Sequence, residues 1–159
     1  MNELNNEVYD EYKCWLQTTI SNVNVKKSIN PKLPREGFRI HQLNDCISIE
    51  AGSDAGLIYG TFALHRRLSN GQDVNFESIP KIARRIINHW DNVDGSIERG
   101  YAGKSIFYKN GKVDFDIERV NDYAKLLASI GINEVTLNNV NVTRESAKLL
   151  TVMLPDVKK

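Results

Sequence analysis

The sequence of 159 residues predicts an α/β fold in two parts: a small α+β segment, then an incomplete repeat of parallel strands and helices. Three observations predict it. Two short strand patterns precede a helix whose apolar residues recur every three or four positions. A loop containing Pro80 follows that helix. From residue 82 onward the order is strand, long loop, helix, short turn, strand and helix, which is typical of a βαβα unit.

The first part of the chain begins with segments of weak pattern. Residues 7–20 are compatible with either a short helix or a strand. Residues 21–37 are polar and contain two prolines and a glycine, so they predict a loop or linker. The strands Phe38–Ile40 and Cys46–Glu50 flank a turn at 43–45, which predicts a hairpin.

The next element is a helix, predicted because its apolar residues follow helical spacing. Its main stripe comprises Leu57, Thr61, Leu64 and Leu68, with Ile58 and Phe62 beside it. Ser53 or Asp54 is predicted to cap the helix by accepting hydrogen bonds from backbone N–H groups. Asn70-Gly71 is predicted to end it, because both residue types tolerate the left-handed conformation. Residues 72–81 are predicted to form a loop.

The second part starts with a predicted strand at 82–90 and a Gly-rich, charged loop at 91–105. Asn110-Gly111 is a strong signal for a two-residue turn. A helix is predicted to begin near Asp116 and to end at Gly131. Its apolar stripe comprises Ile117, Val120, Ala124, Leu127 and Ile130. A strand at 132–142 and a third helix from about Thr143 follow.

Composition and charge exclude several classes of partner. Lys and Arg total 21 and Asp and Glu total 20, so the net charge of +1 predicts no nucleic-acid or membrane partner. The first residues are acidic and polar, which predicts no secretory signal and a cytoplasmic location. Cys14 and Cys46 form no metal-binding spacing and are interpreted as reduced thiols. No nucleotide-binding, metalloprotease or serine-hydrolase motif occurs.

The candidate binding residues follow the two predicted parallel strands, because ligands bind at the carboxyl ends of strands in βαβ architectures. One segment is 88–101 and the other is 138–141. Trp90 lies among carboxylates and amides, a combination that suits a sugar, since the ring stacks on C–H groups while polar atoms bind hydroxyls.

Structural alternatives remain open for each of these residues. Trp90 could be a core residue, and His89 is more often a satisfied core histidine than a ligand. The carboxylates of Asp91, Asp94 and Glu98 could cap helices, pair with Arg99 or act as a general acid and base. Asparagines are unfavourable inside strands, so the Asn-rich segment 138–141 indicates a strand end or a ligand contact.

Two long segments resemble one enzyme family. RIINHWDNVDGSIERGYAGKSIF (85–107) and YAKLLASIGINEVTLNNVNV (123–142) resemble the opening of the catalytic barrel of glycoside hydrolase family 67, the α-glucuronidases. EGFRI (36–40), AGSDAGLIYGTFALHRRL (51–68) and YDEYKCWLQ (9–17) are similar to parts of the family's N-terminal α/β domain. The resemblance implies that 1–82 is a shortened N-terminal domain. It further implies that 83–159 is the start of an incomplete (β/α)8 TIM barrel, which needs about 250 residues when complete.

The resemblance also implies a function. A complete family member removes 4-O-methylglucuronic acid that is α-1,2-linked to xylose in xylan oligosaccharides, by inversion and without a metal or cofactor. In this sequence Trp90 matches the family's sugar-stacking tryptophan, and Val140 matches a small apolar residue of the pocket. Four residues of the matched runs are placed in the pocket wall or in the layer behind it: Asn139, Asp91, Glu98 and Arg99.

The sequence offers no candidate catalytic residue. The family's general acid and its water-activating carboxylate pair lie on later strands, so no residue here receives a catalytic role and the isolated chain is predicted to be inactive. The alternatives are a non-catalytic sugar-binding module and a non-functional gene fragment, and the second of these is favoured for the isolated chain. The sequence does not determine the oligomeric state.

Overall fold

The computed structural model describes residues 23–138, which fall into two compact units that divide between Ala83 and Arg84. Each unit is described by itself. The predictions for 7–20, for the third helix, for Asn139 and for Val140 lie outside the described residues. Within residues 23–138, no helix combines the length and the apolar character needed to cross a bilayer.

The first unit is a four-stranded sheet with one helix. The chain order is β1 (Asn24–Ile29), β2 (Phe38–Leu43), β3 (Cys46–Ala51), α1 (Asp54–Ser69) and β4 (Phe76–Ser78). The strand order in the sheet is β1-β3-β2-β4. Strands β2 and β3 form the predicted antiparallel hairpin, and Asn44 in its turn has φ 53°. The hairpin prediction is therefore confirmed, with β2 longer than expected.

Two strands formed where the sequence predicted loops. Strand β1 lies in the predicted linker and pairs in parallel with β3, from Asn24 opposite Cys46 to Ile29 opposite Ala51. Only Val25 in this strand is half-buried, so no apolar alternation marked it. Strand β4 pairs with β2 and is held by an Arg39–Glu77 ion pair at 2.5 Å. Both loop predictions were wrong. Strands β1 and β4 are the two edge strands of the sheet, and they form by backbone pairing to a neighbouring strand, which no side-chain pattern indicates.

The core of the first unit lies between the sheet and α1. Alternation along β3 places Ile47, Ile49 and Ala51 on the buried face, at 3%, 0% and 0% exposure. Helix α1 approaches this face through Gly56 and Gly60, which leave room for the sheet. The predicted helix stripe is confirmed only in part: Leu64 is fully buried, but Ile58 is 50% exposed.

The start of α1 differs from the prediction. The Ser53 hydroxyl makes no capping bond and instead donates to the carbonyl oxygen of Arg35 at 2.5 Å. It therefore ties the helix start to the loop before β2, which sequence spacing could not show. At the other end, Gly71 has φ 59° as expected, whereas Asn70 has φ −99° and does not enter the left-handed region.

The second unit has the predicted strand–helix–strand order. Its elements are β5 (Ile86–His89), β6 (Tyr108–Lys109), β7 (Lys112–Val113), α2 (Ile117–Ser129) and β8 (Glu134–Leu137). Strands β5 and β8 are parallel, with Ile86 opposite Glu134 and His89 opposite Leu137. Strands β6 and β7 form a hairpin around Asn110 and Gly111, whose φ values are 51° and 77°. The parallel pair and the turn are confirmed, although both parallel strands are shorter than predicted.

Helix α2 has well-formed ends. The Asp116 carboxylate accepts hydrogen bonds from the backbone N–H groups of Glu118 and Arg119 at 2.9 and 3.4 Å. At the carboxyl end, Gly131 has φ 79° and its N–H donates to the carbonyl of Ala128. These two ends confirm the predicted limits of the helix.

The apolar stripe of α2 is only partly buried. Leu127 is 7% exposed, and Val120 packs against a small cluster formed by Phe107 and Tyr108. Ile117 and Ile130 of the predicted apolar stripe are 59% and 62% exposed. They lie at the two ends of the helix, beyond the turn that the cluster covers.

Replacing Asp116 with alanine should lower the free energy of unfolding by about 1 kcal/mol, because two N–H groups of α2 lose their acceptor. Urea denaturation followed by circular dichroism measures the loss. Asp114→Ala is the matched control, since Asp114 is exposed two residues earlier and caps no helix. An equal loss in both variants would show that Asp116 is not a significant cap.

Candidate active site

The candidate site lies at the carboxyl end of β5, where the 91–105 loop folds back on the strand. The backbone N–H of Glu98 donates to the carbonyl of Trp90 at 2.8 Å, and Asp91 forms an isolated bridge with Ile97. Beside these contacts lies an open pocket of about 270 Å³. Its lining comprises Asn88, His89, Trp90, Asp91, Ile97, Glu98 and Ala102.

Trp90 is a surface residue of this pocket. Its side chain is 43% exposed, although its backbone is fixed by the bond from Glu98. Of the two interpretations that the sequence left open, the structure therefore excludes complete burial in a core. A half-exposed ring at a cavity wall provides a flat apolar surface that a ligand can cover.

Asp94 maintains the shape of the loop. Its carboxylate accepts from the backbone N–H and the hydroxyl of Ser96, at 2.8 and 2.6 Å. These two bonds hold the pKa of Asp94 below its ordinary value. Gly95 follows with φ 92°, and a Cβ there would lie 2.9 Å from the carbonyl oxygen of Tyr108. Asp94 is thus a turn residue.

Glu98 faces the cavity from a strained backbone conformation. Its φ is 53°, which costs a non-glycine residue of order 1 kcal/mol. The bond to Trp90 and a bond from the Asn92 side chain to the Glu98 carbonyl, at 2.7 Å, stabilise this conformation. A hydrogen bond with the Glu98 carboxylate raises the pKa of Tyr101. Arg99, next in sequence, is exposed.

A set of polar side chains connects the pocket lining to α2. Nε2 of His89 is 2.7 Å from the hydroxyl of Tyr123 on α2, and Nδ1 of His89 is 3.4 Å from Oδ1 of Asp91. Asp91 is 2% exposed. This arrangement agrees with the interpretation of His89 as a satisfied core histidine. The sequence analysis missed Tyr123, which lies 34 residues from His89 and carries no motif of its own.

The protonation of Asp91 reflects opposing effects. Burial is the largest single effect and raises the pKa of Asp91. The nearby His89 imidazole and Ser105 hydroxyl lower it, and together they outweigh burial, so the net pKa lies below the ordinary value. Both carboxylate oxygens are shielded and neither accepts a hydrogen bond of good geometry. The contact with His89 at 3.4 Å is therefore best described as an electrostatic one.

This lowered pKa predicts an acid sensitivity. Because the folded state holds the Asp91 proton less tightly than the unfolded chain, ionised Asp91 stabilises the fold above the ordinary pKa of 3.8. That contribution disappears as the pH falls through the lower pKa of the folded state. We expect Asp91→Asn to flatten the loss of stability between neutral and acidic pH, as measured by thermal melts in a pH series. A variant curve parallel to that of the parent chain would contradict this assignment.

Metal-binding groups do not occur in the described part of the chain: residues 23–138 contain no set of three or more His, Cys, Asp or Glu side chains placed to hold an ion. Cys46 is a half-buried free thiol, and Cys14 lies outside the described residues.

Comparison with known proteins decides the family. The glycosyl hydrolase family 67 middle domain matches residues 65–159, which is more than half of the chain and includes the whole candidate site. The chain belongs to glycosyl hydrolase family 67. The family resemblance of the sequence is thereby confirmed.

Relatives within family 67 carry related names. The chain is 43% identical over 123 residues to "Probable alpha-glucuronidase A" of Aspergillus oryzae. This alignment covers 76% of the chain and 14% of the Aspergillus protein. It is 42% identical over 118 residues to "Alpha-glucuronidase A" of Emericella nidulans, covering 70% of this chain and 14% of the relative. The chain therefore spans about one seventh of the length of these relatives.

Proposed function

We propose that this chain is part of an inverting α-glucuronidase that removes 4-O-methylglucuronic acid, α-1,2-linked to xylose, from xylan oligosaccharides. Membership of a glycosyl hydrolase family makes a carbohydrate the substrate class. The observation that carries the proposal is the half-exposed Trp90 side chain at the carboxyl end of β5, in a pocket whose lining also includes Glu98 and Asn88.

This arrangement of side chains suits a sugar ring. A pyranose presents C–H groups on one face, which pack on the negative face of an indole ring, while its hydroxyls project around the edge. Carboxylate and amide groups accept and donate hydrogen bonds to such hydroxyls. The cavity places Trp90 among groups of this kind, so one sugar can meet an apolar surface and polar partners together.

The other candidate residues are assigned either to the pocket wall or to the layer of residues behind it. Glu98 faces the cavity and is assigned to a sugar hydroxyl, with Arg99 beside it. Asp91 is shielded from solvent and is assigned to the layer behind the wall, where it supports its neighbours. Asn139 and Val140 directly follow Asn138, whose backbone N–H donates to the carbonyl of His89 at 2.7 Å. That proximity in sequence supports their assignment to the same pocket.

The proposal also assigns the two parallel strands to a larger fold. Strands β5 and β8 with helix α2 are assigned to the first units of a (β/α)8 barrel, in residues 83–159, and residues 1–82 to the N-terminal domain. The support is that β5 and β8 are parallel neighbours and that α2 lies between them in sequence, as the repeat of such a barrel requires.

The reaction itself is assigned to residues outside this chain. Inverting glycosidases use two carboxyl groups about 6.5–9.5 Å apart, one protonating the leaving oxygen and the other activating water. Asp91 is shielded and Asp94 is engaged in a turn, so neither is placed as a general acid or base. The chain contributes sugar positioning, and the carboxyl pair belongs to the remainder of a complete enzyme.

We expect the purified chain to release no glucuronic acid from aldouronic oligosaccharides, since the proposal assigns the reactive carboxyl pair to residues outside this chain. Chromatography of the products after long incubation measures the release. A full-length family 67 α-glucuronidase provides the positive control. Turnover that is abolished by Asp91→Asn or Glu98→Gln would contradict the assignment of the reactive carboxyls to other residues.

A further inference from the structure

Tyr123, His89 and Asp91 anchor the chain on both sides of Trp90: His89 precedes it, Asp91 follows it, and Tyr123 contacts His89 from α2. We infer that these three side chains act together as positioning residues, which hold the backbone on either side of Trp90 and so preset where its ring is presented before a sugar arrives. The sugar-binding consequence rests on the proposed function, whereas the effect on the ring does not.

The three side chains connect separate elements of the second unit. His89 is the last residue of β5, Asp91 begins the following loop, and Tyr123 lies in the middle of α2. The Tyr123 hydroxyl is 2.7 Å from Nε2 of His89, and the two rings meet edge to face at 5.5 Å. Phe107 packs on the same imidazole at 5.3 Å, also edge to face. The imidazole is therefore held by rings on two sides and by a polar group at each nitrogen.

The protonation of Tyr123 and of Asp91 follows from the groups around them. Burial, followed by the charge of Asp91, raises the pKa of Tyr123, so its hydroxyl is neutral and available as a donor. Asp91 is ionised at neutral pH because its pKa is lowered. The two ring nitrogens of His89 therefore face different partners: Nε2 is 2.7 Å from the Tyr123 hydroxyl and Nδ1 is 3.4 Å from the Asp91 carboxylate.

Trp90 lies between His89 and Asp91 in the sequence, so both of its neighbours are anchored. Its backbone is fixed as well, because its carbonyl accepts from Glu98 and the carbonyl of His89 accepts from Asn138. The ring alone remains open to solvent, at 43% exposure. A platform whose backbone and neighbours are locked loses little conformational freedom on binding, which is the general basis of preorganisation.

The experiment isolates Trp90 by its fluorescence. The chain has two tryptophans, so Trp15→Phe leaves Trp90 as the sole tryptophan, whose emission is excited selectively at wavelengths that tyrosine does not absorb. In that background we compare Asp91→Asn and Tyr123→Phe, each of which removes one polar contact with little change of shape. We expect a loss of steady-state anisotropy and faster quenching by acrylamide in both variants. Asp114→Asn, the same chemical change at an exposed carboxylate of this unit, should leave both readings unchanged.

A titration with xylan-derived aldouronic oligosaccharides then separates this inference from the proposed function. We expect the dissociation constant to rise about tenfold in both variants, because a misplaced platform loses a geometry-dependent contact. If the parent chain shows no binding, the proposed binding role fails while the anisotropy still tests the positioning role. Unchanged anisotropy in folded Tyr123→Phe, which keeps its ring contacts, would overturn the inference even if Asp91→Asn does not fold.

Discussion

Gly60→Val should lower the free energy of unfolding of the first unit by about 3 kcal/mol, at the upper end of the usual cost of overpacking a core. Gly60 lies in the middle of α1, where the helix contacts the sheet. A Cβ at this position would lie 2.7 Å from Cγ2 of Ile49 and 3.2 Å from two ring atoms of Phe38. Ile49 is fully buried and its β-branched side chain has little rotamer freedom, so it cannot move aside.

The direction of this effect opposes intrinsic helix propensity. Replacing glycine by alanine inside a helix normally stabilises it by about 1 kcal/mol. At Gly60 the added methyl group meets Ile49, so we expect Gly60→Ala also to destabilise the unit, and Gly60→Val to do so more strongly. Chemical denaturation of the full chain measures both values. Ile58→Val, which places valine on the exposed face of the same helix, is the control. A rise in the melting temperature of Gly60→Ala would contradict this packing.

Trp90→Ala should weaken binding of aldouronic oligosaccharides by at least about tenfold, because truncation of a well-placed aromatic residue commonly costs more than 1 kcal/mol. Trp90 has the largest apolar side chain among the lining residues, whereas Glu98 and Asn88 offer polar contacts that water can replace. The effect follows from the proposed function and is measured by isothermal titration calorimetry on the purified chain.

Two comparisons sharpen this prediction. Trp90→Phe keeps an aromatic face of smaller area, so its loss of affinity should be intermediate between the parent and Trp90→Ala. Ile117→Ala removes a side chain that is 59% exposed at the start of α2, outside the pocket lining, and should have a much smaller effect. Equal affinities for the parent chain and Trp90→Ala would exclude Trp90 as a stacking platform.

Local chemistry made several elements predictable from the sequence. The Asn110-Gly111 turn, the Gly131 helix end and the Asp116 cap each depend on the backbone freedom or hydrogen bonding of one or two residues. The hairpin β2–β3 was predictable because Ile47 and Ile49 alternate with more exposed residues on a short strand. These features arise within a few residues of each other, which is the range over which sequence pattern is informative.

Features that depend on distant partners were not predictable. Strand β1 forms because β3 offers a free edge, and its own residues are mostly exposed. Ser53 has the right type for a helix cap, but the Arg35 carbonyl, 18 residues away, receives its hydrogen bond instead. Likewise Leu57 and Leu68 have helical spacing, yet the closest contacts to the sheet pass through Gly56 and Gly60. In each case a contact with another element outweighed the local preference.

The sequence by itself determined the family, because the segment around Trp90 is long and specific, and it also determined that aromatic, carboxylate and amide groups cluster after the first parallel strand. Only the tertiary structure decided how these neighbours divide their roles: Trp90 remains half-exposed at the cavity, while Asp91 beside it is 2% exposed. The physical reason is that the partners of Asp91 are His89 and Ser105, and that His89 in turn contacts Tyr123. Folding brings Tyr123 from another element to this strand end, and no local pattern encodes that contact.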